Sequence, residues 1–176
     1  MKRWVWMAAI LLVAPMVARA QSPAADPVSS TLRQVLERFS KNLVAAAEQV
    51  PAEKYTYHPT PAQMTIGQTM DHVSKVNNGA CAKLSDASAP QQPSIADTEK
   101  DKLVAGLKAS MEFCKQAFAT LTDAKLGEPA TMPSGRKATR FAAALEVTND
   151  LIDHYAAIAV YMRLNDLLPP SAQPRK

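Results

Sequence analysis

Three histidines, His58, His72 and His154, occur in the 176-residue chain. Imidazole is the commonest metal ligand among side chains and the one that changes charge near neutral pH. So few copies make the position of each informative. His154 follows Asp150 by four residues, which stacks the two on one face of a helix. A carboxylate facing a protein interior is expensive without a partner. A neighbouring imidazole satisfies it, and a shared metal ion satisfies it more completely. Two imidazoles and one carboxylate, with coordination positions left open, form a facial set suited to Fe(II), Zn(II) or Ni(II). His72, Asp150 and His154 are therefore the candidate ligands, with His72 arriving from a second helix. The same residues also fit a plainer arrangement, in which an inward histidine is simply hydrogen-bonded and Asp150–His154 is an ordinary salt bridge. Asp153 lies next to His154 but is rotated outward. His58, within Tyr55-Thr56-Tyr57-His58-Pro59, reads as a surface loop residue.

The ligands need long helices to carry them, and the apolar spacing provides four. Leu32, Val35, Leu36, Phe39, Leu43, Ala46 and Val50 recur at intervals of three and four, predicting a helix over 28–50 capped by Ser29 or Ser30 and ended by Pro51. Residues 51–61 form an ordered loop with three prolines. Thr65-Ile66-Gly67-Gln68 has the form of a capping box. It opens a second helix that runs to about Ser85, with Ile66, Met70, Val73, Val76, Ala80 and Leu84 inward. A Ser/Ala/Pro/Gln-rich loop over 86–94 separates it from a third helix, expected from Ile95 to Leu121. Its inward residues are Leu103, Leu107, Met111, Cys114, Phe118 and Leu121. After a longer connection, Thr139 caps a fourth helix whose stripe is Phe141, Ala144, Val147, Leu151, His154, Ile158, Tyr161 and Asn165. Pro169-Pro170 closes it. No stretch alternates with period two, so no strand is expected. The fold class is all-α, a four-helix bundle.

Composition agrees. The chain is 47% hydrophobic and 20% charged with 5 glycines, which excludes extensive disorder and collagen-like designs and leaves one core. Lys2 and Arg3 precede an apolar run from Trp4 to Val17, followed by Ala18-Arg19-Ala20. That is the pattern of a cleavable signal peptide, with cleavage after Ala20. The expected organisation is a signal peptide over 1–20, a flexible N-terminus over 21–27, the bundle over 28–168 and a polar tail over 169–176. Localisation would be periplasmic or secreted, with no stable membrane anchor once the signal is removed. The net charge of +4 includes Lys2, Arg3 and Arg19, so the remainder carries +1, and no nucleic-acid partner is expected. Export places Cys81 and Cys114 where disulfides persist. An antiparallel hairpin of helices two and three would not bring them into register, so pairing stays open.

Three stretches resemble the DinB-like family of four-helix-bundle proteins. Met64-Thr65-Ile66-Gly67-Gln68-Thr69-Met70-Asp71-His72 resembles the family's second helix with its histidine. Asn149-Asp150-Leu151-Ile152-Asp153-His154 resembles its fourth-helix His-x-x-x-His segment, and Tyr161 to Asp166 running into Pro169-Pro170 resembles its closing helix and proline stop. The resemblance implies a divalent metal site at one end of the bundle, with His72 in the first ligand position and His154 in the last. Asp150 stands where the family has its middle histidine, and oxygen ligation by Asp keeps such a site workable. Family members often carry Arg-Gly-Gln after the last histidine, whereas this chain has Tyr155-Ala156-Ala157. Similar family members include thiol-dependent S-transferases and metal-dependent hydrolases, and their bundles are often dimers. The expectation is an exported protein binding Zn, Ni or Fe, acting as a hydrolase or transferase on a small-molecule substrate that the sequence does not name, with a homodimer left open. The alternative is a secreted bundle that has lost the metal and serves as a scaffold or binding protein. Arg136, Lys137 and Arg140 form a small basic cluster, read as a solvated helix start. There is no G-x-S-x-G, no phosphate-binding loop and no H-E-x-x-H.

Overall fold

The computed structural model describes residues 26–174; the expected signal peptide and most of the flexible N-terminus lie outside the described residues. Within them are helices α1 (Pro27–Gln49), α2 (Ile66–Ser85), α3 (Lys100–Ala119) and α4 (Arg140–Leu164). Each buries a stripe of the expected spacing, and the stripes meet in one core that includes Leu43, Met70, Leu107, Phe118, Leu151 and Ile158. None of these helices is long and apolar enough to cross a membrane.

The helix starts show how local chemistry and tertiary contacts share the work. Thr65 forms the expected capping box: its Oγ1 accepts the Gln68 N–H at 3.0 Å and its own N–H donates to Gln68 Oε1 at 3.0 Å. Thr139 Oγ1 likewise accepts the Ala142 N–H at 3.2 Å. Helix α1 differs from expectation, because neither Ser29 nor Ser30 caps it. Their hydroxyls turn back to the carbonyls of Asp26 and Pro27. The exposed N–H groups of Val28 and Ser29 instead donate to Asp123, distant in sequence, while the Asp123 N–H donates to Asp26 Oδ1. A carboxylate there also complements the helix dipole. Partial desolvation opposes ionisation of Asp123, but the N–H donors at this helix start hold its carboxyl below the ordinary value.

Connectivity departs from a simple hairpin. Helices α2 and α3 run parallel, as their contacts advance together: Thr65 with Asp97, Asn77 with Ser110, Cys81 with Cys114. Residues 86–99 travel back along α2, tied by Gln92 to Asn78 and by Ser94 to Lys75. Helix α3 therefore starts at Lys100 rather than Ile95, because the chain up to Asp97 is occupied in docking on the start of α2. Gly67 permits that docking: a Cβ there would lie 2.8 Å from the Asp97 carbonyl oxygen. The parallel register also closes a Cys81–Cys114 disulfide with a Cα–Cα distance of 5.1 Å. Around the bundle, α2 lies between α3 and α4, and so does α1.

Two further differences concern α4. The connection before it holds a short antiparallel hairpin, β1 (Pro129–Thr131) with β2 (Lys137–Thr139), where no strand was expected. Gly135, at φ 83°, turns it, a conformation that favours glycine. Three-residue strands are too short to show an alternating pattern. Phe141, expected inward, is 40% exposed, and Tyr155 is buried in its stead. Helix α4 is apolar on nearly every side, so its spacing did not define a single inward direction.

Candidate metal centre

Helices α2 and α4 are antiparallel neighbours, since the Arg140 guanidinium at the start of α4 donates to the Leu84 carbonyl and to Asp86 at the end of α2. That pairing brings the second turn of α2 against the middle of α4. His72, Asp150 and His154 meet there, each offering a ligand atom within 4.8 Å of the others. Both imidazoles turn toward one carboxylate oxygen: Asp150 Oδ1 lies 3.3 Å from His154 Nε2 and 3.8 Å from His72 Nε2. The two rings sit edge to face with centroids 4.9 Å apart. The group is graded in depth, with side-chain exposures of 12% for His154, 18% for Asp150 and 43% for His72.

Contact with the Asp150 carboxylate raises the pKa of His154 above its ordinary value; partial burial opposes this, and Asp153 adds to it. One atom is not accounted for by these contacts. Asp150 Oδ2 is buried and has no hydrogen-bond partner. An orphaned carboxylate oxygen beside two imidazole nitrogens is a donor set that fits a divalent ion. Ligands at about 2.1 Å from a tetrahedral ion are roughly 3.4 Å apart. The Asp150–His154 contact of 3.3 Å matches that spacing, and the Asp150–His72 contact of 3.8 Å is slightly longer.

The remaining candidates lie elsewhere. His58 Nδ1 is engaged by the Thr60 carbonyl oxygen at 2.7 Å and takes no part in the group. Asp153 is exposed beside it. In the basic cluster, Arg140 bridges Asp86 and Glu128, and Arg136 pairs with Glu146, so both serve the local fold. Tyr155 accepts the Ser171 N–H at 2.9 Å through its hydroxyl, which pins the chain after α4. The Asp123 cap has no local sequence signal, because it joins residues far apart in the chain. A cleft of about 700 Å³ lies on the other side of the bundle, between α1 and α3, lined by Leu36, Val44, Met111 and Phe118 among others. It touches none of the three site residues.

A family model described as the DinB superfamily matches residues 35–158. Among solved structures, a DinB-like protein from Bacillus subtilis is similar with a TM-score of 0.61 at 19% identity, over 81% of this chain and 99% of that one. A conserved protein from Enterococcus faecalis is similar with a TM-score of 0.61 at 14% identity, over 78% of this chain and 96% of that one. At these identities the likeness concerns the fold. No curated protein matches the chain.

Proposed function

Because the chain belongs to the DinB superfamily, we propose that it acts through a divalent ion held by His72, Asp150 and His154, as an exported metal-dependent hydrolase or transferase. The observation that carries this reading is the buried, unpartnered Asp150 Oδ2 beside two converging imidazoles. Two nitrogens and one carboxylate suit Zn, Ni or Fe. When bound, such an ion supplies Lewis-acid chemistry, polarising a carbonyl and lowering the pKa of a water or thiol. The protein's part is positional. Asp150 and His154, one turn apart on α4, form the fixed side of the site. His72, the most exposed of the three, leaves it open toward solvent, where a small molecule can approach. Ala156 and Ala157 offer no polar group, and the Tyr155 hydroxyl is engaged by the Ser171 N–H.

Export rests on the Lys2-Arg3, apolar and Ala-x-Ala pattern, and the Cys81–Cys114 disulfide supports an oxidising compartment. Hydrolysis then has the advantage over thiol transfer, because water is present everywhere and the small thiols of the cytosol are not. One observation favours the second reading, a bundle that binds without catalysis: the 700 Å³ cleft is remote from the three ligands. Metal analysis of the purified protein separates the two. The first reading expects about one divalent ion per chain, lost in His72→Ala and His154→Ala, and a chelator-sensitive melting temperature. A free ion at a hundredfold excess over Kd stabilises by about 2.7 kcal/mol. Equal metal content and melting in all three proteins would leave only the scaffold.

A further inference from the structure

Helices α1 and α3 run antiparallel. Arg33 ties them at one end through the Leu121 carbonyl, and Lys100 at the other through the Glu48 carbonyl. Between these ties lies the cleft of about 700 Å³. It follows α1 from Arg33 to Glu48, a length of about 22 Å. That volume falls within the range of small-molecule sites. Ala45 and Ala119 stand in its lining, where larger side chains would fill it. The floor is apolar, and the one hydroxyl in the lining, that of Ser40, is already donated to Met111 Sδ at 3.1 Å. The rim sets the charge. Lys108 pairs with Glu48 across the cleft, and Lys115 pairs with Glu112 along α3. Among the described residues this leaves Arg33 and Lys41 without a carboxylate partner, against Glu37 alone. The surplus is a single positive charge on the α1 side.

We propose that this cleft binds a single-chain amphiphile with one negative charge, of the fatty-acid class. Its alkyl tail lies on Leu36, Val44, Met111 and Phe118, and its carboxylate sits at the α1 rim between Arg33 and Lys41. One surplus positive charge complements a monoanion and disfavours a cation. Arg33 spends one N–H on the Leu121 carbonyl and keeps its other donors for a carboxylate. A floor with no free donor or acceptor selects a tail without polar groups, since a hydroxyl buried there would lose its water partners. The Lys108–Glu48 bridge spans the end away from Arg33 and limits the length of tail that fits. The site shares no residue with His72, Asp150 and His154, so it stands whether or not those three hold an ion.

Calorimetric titration with dodecanoate tests this, in the presence of a chelator so that the metal centre takes no part. About one dodecanoate per chain should bind. Octanoate should bind more weakly by about a hundredfold or more, since each buried methylene is worth about fourfold. Dodecyltrimethylammonium, with the same tail and the opposite charge, should bind about tenfold more weakly, and Lys41→Glu should reverse that preference. Ala45→Trp fills the cleft and should abolish dodecanoate binding with circular dichroism unchanged. Ala119→Trp, at the exposed end of α3, makes the same test where Ala45→Trp does not fold. No binding of dodecanoate overturns the proposal. So does equal binding of octanoate and dodecanoate, equal binding of the two charges, or full binding in a folded tryptophan variant.

Discussion

His154 Nε2 lies 3.3 Å from Asp150 Oδ1, one helical turn away, while the second oxygen of the same carboxylate is buried without a partner. The pair is thus half satisfied by the protein alone. Asp150→Asn keeps the shape and removes the charge. In metal-free protein, at a pH where His154 is neutral, the change is expected to move the melting temperature little. With Zn, Ni or Fe present, it should remove the metal-induced rise and weaken binding by more than the 10–100-fold typical of losing an outer-shell partner. Calorimetric titration with metal and melting in chelator together check this. Equal destabilisation with and without metal would identify Asp150 as purely structural.

The raised pKa of His154 fixes a sign. Its folded value lies above the unfolded value near 6.5. The Asp150 contact therefore stabilises metal-free protein fully below about pH 6.5, and the gain is lost as pH rises through the elevated folded value. Metal binding follows the opposite trend, because ligation needs neutral imidazole. Melting temperatures of chelator-treated protein should fall across that window in the unmodified chain and stay level in His154→Gln. Identical profiles would show that the pair does not contribute.

Cys81 and Cys114 are 33 residues apart and fully buried between α2 and α3. By the chain-entropy relation, a closed loop of that length is worth about 4 kcal/mol. Urea unfolding of the Cys81→Ala, Cys114→Ala double variant should show a midpoint lowered accordingly. A midpoint unchanged from the disulfide-bonded protein would mean that the bond constrains little.

Gly67 is the point where residues 86–99, returning along α2, touch its first turn. A Cβ there would lie 2.8 Å from the Asp97 carbonyl oxygen and closer still to its Cα. Backbone cannot rotate away as a side chain can, so Gly67→Ala should destabilise by about 1–3 kcal/mol, the usual range for overpacking. Helix propensity alone predicts the reverse, a gain of up to about 1 kcal/mol. Thermal unfolding decides between them by sign.

The helices, the Thr65 and Thr139 caps and the Asp150–His154 pair could be read from sequence because each depends on residues within one or two turns. The parallel course of α2 and α3 could not. A loop of this length can either turn back sharply or run the length of a helix, and the contacts that choose, Thr65 with Asp97 and Gln92 with Asn78, join residues far apart in sequence. The disulfide is not legible in the spacing for the same reason. Asp123 as the cap of α1 had no local signature, since Asp26 and the serines nearby offered a nearer answer. Phe141 reads as inward because α4 has apolar residues around most of its circumference, and periodicity carries little direction there. Resemblance and its face on α2 point to His72 as part of the site; the antiparallel packing of α2 on α4 is what brings it to Asp150.

The first helix to be synthesised rests on the last two. Helix α1 packs on α3 and α4, and its neighbour in sequence, α2, stands diagonally across the core. A nascent chain stopped before residue 100 has both early helices but no surface on which α1 can close. Leu32, Leu36 and Leu43 then stay wet until the second half of the polypeptide has emerged, and a chain in that condition is a ready client for chaperones that cover exposed apolar surface.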